Sequence, residues 1–411
     1  MGIAETGPPK PGLPGILSGI LSGIIVFQRL LESPPVPPEG LHRATITAVV
    51  RNVVLLASLL MIWAAWAQTS KLGLRPVGDG GQAVKASING PSGLAIDGSV
   101  LYVIESFANL IRRVDLTTGV VTTVHSQIPL EAIASITVDS AGDLIVTEYT
   151  VDRVRKIHPQ NGSVSLVAGA VRMTFTGDGG PAQGAGLSSP RGTALGADGS
   201  LYIVDMGNNR IRRVDAKTGI ISTVAGCGKR DSSGDSGSAL LAGLEYPSSI
   251  AIDRSGNLYI SQYGYGPDSH RIRRVDANTG VIDTFAGLGK AGLRGDGGLA
   301  IQASLQSPSD LLFDTAGNLF VVDPVNDRVR RIDAGSGVIT TYAGTTKGFG
   351  GDGGSAANAK LNNPSSIAFD SAGNLYIAEF VNNRVRRVDA KTGIITTIAG
   401  NGLPKRIDVM M

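Results

Sequence analysis

Cysteine is almost missing from this chain. Cys227 is the sole one in 411 residues, which excludes an intrachain disulfide and any cysteine-based metal centre. Histidine is nearly as scarce. His42, His125, His158 and His270 are scattered, and none falls in a segment that could line a central cavity, so a three-histidine zinc site is not expected. Charge is thin, at 17% Asp, Glu, Lys and Arg, and the formal net charge of +3 contains no concentrated basic block. The electrostatic footprint of a nucleic-acid binder is therefore absent. No G-x-S-x-G elbow and no phosphate-cradling loop ahead of a helix is found. Long apolar runs occur only in the first 68 residues. What the chain has in excess is glycine, 56 residues of it, placed where turns are needed.

The glycines belong to a repeat. LYIVDMGNNRIRRVDAKTGIISTVAG, from Leu201 to Gly226, returns as LYIAEFVNNRVRRVDAKTGIITTIAG, from Leu375 to Gly400. Six copies can be followed between about Gly78 and Gly400. Their shared aspartate falls at Asp115, Asp215, Asp276, Asp333 and Asp389, with Pro159 in that place in a shorter second copy. A period of roughly 60 residues signals a repeat architecture. Each unit holds four short segments rich in Val, Ile, Tyr and Thr, in the third copy PRGTALGA, SLYIVD, RIRRVD and GIISTVAG. Turn sequences such as DSAGN and DAKTG separate them, with Asp and Asn capping the turn and Gly supplying positive φ. Four antiparallel strands repeated radially make a β-propeller blade. The expected fold is all-β, a six-bladed propeller over residues 68–411.

The wording P-x-G/S-I-A-x-D followed by G-N-L-Y-I-A-D-x-x-N-N-R-I-R-R-V-D resembles the NHL-repeat family. The resemblance covers all six copies. The GDGG-containing linkers are similar to those of bacterial NHL proteins and of teneurin propellers. It implies a six-bladed architecture. The family includes binding platforms, sensors and a few enzymes, so it implies no single activity.

Residues 1–42 are rich in Pro and Gly and read as a disordered leader. Residues 43–67 read as a signal peptide or a membrane anchor. Arg51 precedes an uncharged run from Asn52 to Gln68 that ends in Ala65-Trp66-Ala67. A basic start, an apolar core and an A-x-A end form a secretory signal, with cleavage expected after Ala67. An anchor starting near Ala44 is the other reading. It would carry Arg51 inside the span at about 2.5–3.5 kcal/mol. Either places the propeller outside the cytoplasm, as a secreted or periplasmic protein or as an anchored one.

Two features recur in most units. The second strand ends in an acid and the third begins with Arg, giving the pairs Glu148/Arg153, Asp205/Arg210, Asp323/Arg328 and Glu379/Arg384. Four intervening residues set each pair opposite one another across a hairpin. A second arginine two residues on, Arg212 in the third unit, shares that face. Repetition in nearly every blade marks a structural clamp, since an active site is needed once. The first unit has Leu110 where Arg is expected and leaves Glu105 to rely on Arg112. The linkers carry GDGG at Gly78, Gly177, Gly295 and Gly351. Each offers one carboxylate, so a packed structural loop is expected, with calcium the weaker alternative.

The fourth copy breaks the rules. Gln262 replaces the acid, the hairpin loop lengthens to Tyr263–His270 with the sequence YGYGPDSH, and the linker carries Arg230 with GDSG in place of GDGG. Tyr263, Tyr265, Asp268, His270 and Arg230 are the candidate binding residues, because tyrosine and glycine in a loop give amphipathic, adaptable contact surface. Asp310, the one charged residue near the upper ends of the inner strands, joins them. The function expected is a binding module that presents its loop face to a protein, peptide or glycan. The competing expectation is a metal-dependent hydrolase or lyase resembling lactonase-type propellers, with activity following a metal and Asp310.

Overall fold

The computed structural model describes residues 78–170, 174–264 and 269–403. The leader and the segment 43–67 lie outside these residues, as do Tyr265 and Asp268. Six antiparallel sheets follow one another along the chain, over residues 91–123, 133–168, 190–225, 247–286, 311–343 and 364–399. These are blades one to six. Every blade is a meander of four consecutive strands, as the repeat requires. In blade three the strands are Pro190–Leu195, Leu201–Asp205, Arg210–Val214 and Ile221–Ala225, running from the inner strand to the outer. Blade four gains a fifth, two-residue strand, Gly237–Ser238, on its outer edge.

Both faces of a blade meet a neighbour, so the strands are buried on both sides. One interface holds Leu201, Ile203, Val214 and Ile221 of blade three against Ile145, Val154 and Ala168 of blade two. Burying each such aliphatic side chain contributes about 1.5–3 kcal/mol. The inner strands are tied by serine hydroxyls that donate to the next blade. Ser135 Oγ reaches Arg191 O at 3.0 Å, Ser248 Oγ reaches Pro308 O at 3.1 Å and Ser365 Oγ reaches Pro91 O at 2.7 Å.

The long linkers bridge consecutive blades. After the outer strand of blade five, Gly344 N donates to Ala356 O at 3.0 Å. The same linker then lies along the outer strand of blade six, with Gly353 N donating to Ile395 O and Ile395 N to Gly354 O, both at 2.9 Å. Gly351 must be glycine: its φ is +88°, and a Cβ there would sit 2.8 Å from the Cα of Ala359. Ring closure reuses this device. Gly400 N and Asn401 N donate to Ala83 O and Ala86 O, each at 2.9 Å, so the linker before blade one receives the end of blade six. No strand is exchanged between blades. Blade two lacks such a linker, because His125 runs almost directly into Ile133. Ser165 and Leu166 of its outer strand Val164–Ala168 are exposed.

Candidate binding site

The repeated acids and arginines form a clamp, with a change of partner from the sequence expectation. The register does set Asp205 opposite Arg210, Asp323 opposite Arg328 and Glu379 opposite Arg384. The ion pairs nevertheless run to the second arginine. Arg212 lies 3.3 Å from Asp205, Arg330 3.6 Å from Asp323 and Arg386 3.1 Å from Glu379. Arg210 instead donates to the carbonyls of Asn208 and Cys227, both at 2.8 Å, and stacks on Phe175. Arg384 does the same with Asn382, Asn401 and Phe349. Arg328 donates to Asn326 O at 2.7 Å. Only in blade two does the facing arginine hold the acid, Arg153 at 2.7 Å from Glu148, with Arg155 also at 2.9 Å. Both arginines share a face by alternation, but the second is fully buried between the blades beside the acid, while the first, at the start of the strand, is only half-buried at the mouth.

In blades one, three, five and six the second carboxylate of the clamp comes from the linker. Asp79 reaches Arg112 at 2.9 Å, Asp178 reaches Arg212 at 2.6 Å, Asp296 reaches Arg330 at 2.6 Å and Asp352 reaches Arg386 at 2.5 Å. These arginines are fully buried, so each charge must be matched in place. The GDGG loops are therefore latches whose aspartates face a guanidinium. Arg112 also holds Glu105 at 2.6 Å, as the missing arginine at Leu110 implies.

Burial acts against the acids. It pushes Glu379 up to about 7 and Asp323 up to about 6, and it raises Asp205, with the nearby arginines and amides pulling the other way. The two residues before the first arginine, Asn-Asn in blades three and six and Asn-Asp in blade five, complete the clamp. The first, Asn208 or Asn326, donates to the acid at 2.8 Å. The second adopts a left-handed conformation, and its side-chain oxygen accepts from the backbone of the next blade. Asn383 Oδ1 takes Gly90 N at 2.9 Å and Asp327 Oδ1 takes Asn363 N at 2.9 Å.

Blade four departs where its sequence departs. Gln262 meets Arg273 at 3.4 Å, and Asp235, the aspartate of GDSG, supplies a carboxylate at 2.6 Å. The altered GDSG thus keeps the latch. Beside it, on the loop face, Arg230 lies 4.3 Å from the ring centroid of Tyr246, and Tyr246 packs on Tyr263 at 5.6 Å. Tyr246 has φ +42°, a region that bulky side chains rarely occupy. Its counterparts before the other inner strands are Gly90, Ala132, Ser189, Ser307 and Asn363. The link between blades three and four is also incomplete, since Asn209 Oδ1 is buried without a hydrogen-bond partner. All six of these positions are left-handed, but blade four alone puts a bulky side chain there, next to the unsatisfied oxygen of Asn209 from blade three. Such departures concentrate at functional sites.

Comparison with known proteins agrees with the repeat. A family model of the teneurin NHL domain matches residues 170–233 and 345–406. Mouse teneurin-4 is 33% identical over 251 residues, which cover 54% of this chain and 9% of that protein. Bovine NHL repeat-containing protein 2 is 28% identical over 248 residues, covering 53% of this chain and 33% of that protein. The chain is an NHL-repeat β-propeller. It spans a tenth or less of the teneurin and a third of the other relative. Among solved structures, an auxiliary nutrient binding protein from Bacteroides thetaiotaomicron superposes with a TM-score of 0.56 at 16% identity, over 79% of this chain and 75% of that one. At that identity the likeness is one of fold.

Within this NHL propeller, two of the candidate binding residues prove to be structural. His270 is not on a recognition edge. It is 7% exposed and occupies the left-handed position that asparagine or aspartate holds in the other blades, and its Nδ1 accepts from Ser307 N at 3.0 Å. Burial lowers its pKa, which suits a neutral acceptor. Asp310 is not an available ligand either. It accepts from Ser249 Oγ at 3.0 Å, Ser366 Oγ at 2.8 Å, Ile367 N at 3.0 Å and Leu311 N at 3.0 Å, and so ties blades four, five and six. Burial raises its pKa against these four donors. Among the described residues, no three His, Cys, Asp or Glu side chains gather in a way that could hold a metal ion. Tyr263 and Arg230 do come together, through Tyr246. Sequence reading missed Tyr246, although aligning the residue before each inner-strand proline would have set a tyrosine against small or polar residues.

Proposed function

We propose that this NHL propeller is an extracytoplasmic binding module that holds a protein, peptide or glycan on its loop face at blade four. The observation that carries the reading is Tyr246, kept in a left-handed conformation and stacked between Arg230 and Tyr263. A folded chain gains nothing for its own stability from a bulky residue at a position its other blades fill with Gly, Ala, Ser or Asn. Tyrosine and arginine are the residue types that dominate binding energy at interfaces. The propeller fold, which here presents a rigid platform under short loops, supports an interaction role. Support for export comes from the apolar run and A-x-A end at residues 52–67. N-terminal sequencing of the protein recovered outside the cytoplasm tests that part, and a mature chain still beginning before Val53 would establish the anchor instead. For the site, wild type and Tyr246→Ala/Tyr263→Ala are compared on peptide and glycan arrays. Ligands retained by wild type and lost by the variant support the reading. Equal retention removes blade four from the binding surface.

A further inference from the structure

A second departure lies at the loop-face mouth of the axial channel, in blade three. The residue after the proline that leads into the inner strand is serine in blades one, four, five and six: Ser92, Ser248, Ser309 and Ser365. Ser248, Ser309 and Ser365 spend their hydroxyls on backbone carbonyls of the following blade. Blade three has Arg191 in this place. Its neighbour Gly192 packs against Ser249, with a Cβ there only 2.8 Å from the Ser249 Cα. Blades three and four therefore approach without a side-chain tie, and the arginine is not part of the ring closure.

Arg191 is also the exception among the arginines of this face. Arg210, Arg328 and Arg384 each donate to backbone carbonyls, and Arg153 holds Glu148. Arg230, exposed, rests on a ring. Arg191 is half-buried, and its guanidinium meets no acceptor among the described residues. Its Nε is buried without a hydrogen-bond partner, as are those of Arg112, Arg273, Arg330 and Arg386, but those four hold carboxylates through their terminal nitrogens and Arg191 does not. What positions it is the ring of Tyr149 from blade two, 5.7 Å from the guanidinium carbon. A buried N–H of a permanent cation left unpaired is costly, and a planar fork of donors matches a carboxylate in two parallel hydrogen bonds.

We infer that Arg191, backed by Tyr149, is a carboxylate-binding subsite at the mouth of the channel. The inference does not rest on the blade-four reading, since the residues differ and either can fail alone. The carboxylate can belong to an acidic amino-acid side chain or to a uronic acid, and the experiment separates these. Full-length protein labelled with [15N]arginine is titrated with N-acetylglutamate and, separately, with galacturonate, following the Nε–H resonance of Arg191. A saturable shift of that resonance is expected with at least one probe, and the stronger probe names the source. Arg191→Lys keeps the charge and loses the fork, so its affinity for that probe should fall about tenfold. Tyr149→Ala should weaken the same probe without removing it. An Arg191 resonance that neither carboxylate shifts saturably overturns the inference, as does an unchanged affinity in Arg191→Lys with the wild-type melting temperature.

Discussion

Blades six and four put the same positions to different use. In blade six, Arg386 lies between Glu379 and Asp352, and both contacts are ionic. In blade four, Arg273 keeps the linker carboxylate of Asp235 and meets the neutral amide of Gln262. The difference is smaller than the sequence suggests. Burial already drives Glu379 toward its protonated form, and a glutamine is close to a permanently neutral glutamate. The clamp therefore tolerates the replacement, and the real break in blade four is elsewhere, at Tyr246. A repeat can lose a charge without losing its function in the fold, while a residue that fits no structural need marks the other kind of change.

The comparison breaks most sharply when the guanidinium is removed. Arg386→Ala leaves two carboxylates unmatched, one of them fully buried, and should cost about 3–5 kcal/mol in denaturant unfolding. Arg273→Ala orphans one half-exposed carboxylate and should cost about 1–2 kcal/mol less. Equal losses would mean that the inner acid contributes nothing.

pH sharpens the same contrast. The folded pKa of Glu379 lies above its unfolded value, so the folded state holds the extra proton between about pH 4.5 and 7. Its contribution is full below that window and is lost as pH rises through it, by up to about 1.4 kcal/mol per pH unit. Glu379→Gln, which copies blade four, should flatten that part of the stability profile. A profile unchanged in the variant would show that Arg386 holds Glu379 ionised throughout.

The linker aspartates give a smaller effect of opposite order. Asp352→Asn should cost about 1 kcal/mol, because Glu379 remains and the site is part-exposed. Asp235→Asn should cost about twice that, since Gln262 brings no charge to Arg273. At Tyr246, glycine should be better tolerated than alanine by about 1 kcal/mol, because alanine keeps the left-handed strain that glycine relieves. Ligand retention should be lost in both. The smallest effect is expected at His270. Asparagine holds this place in blades one, three and six, so His270→Asn should stay within about 0.5 kcal/mol of wild type in thermal unfolding. A larger loss would assign the imidazole a contact beyond Ser307.

Alternating Val, Ile and Tyr between turn residues determined the strands, and the recurrence of Asp215, Asp276, Asp333 and Asp389 determined how many blades they form. Both are local or periodic properties, legible because a strand repeats every two residues and a blade repeats whole. The opposition of Asp205 and Arg210 was legible for the same reason, since hairpin register follows from loop length. Which arginine the acid actually binds was not, because both share a face and the choice depends on how deeply each is buried and on the carbonyls and ring that occupy the first one. The linker aspartates belong to arginines 33 to 38 residues downstream, and no local pattern reports a contact at that range. His270 and Asp310 looked like functional groups in sequence and became structural ones once blade packing supplied Ser307, Ser249 and Ser366. Tyr246 and Arg191 looked ordinary. Only the assembled ring shows that one carries a bulky side chain at a left-handed position its counterparts fill with small or polar residues and the other is left without an acceptor, because both are defined only once the surroundings are fixed.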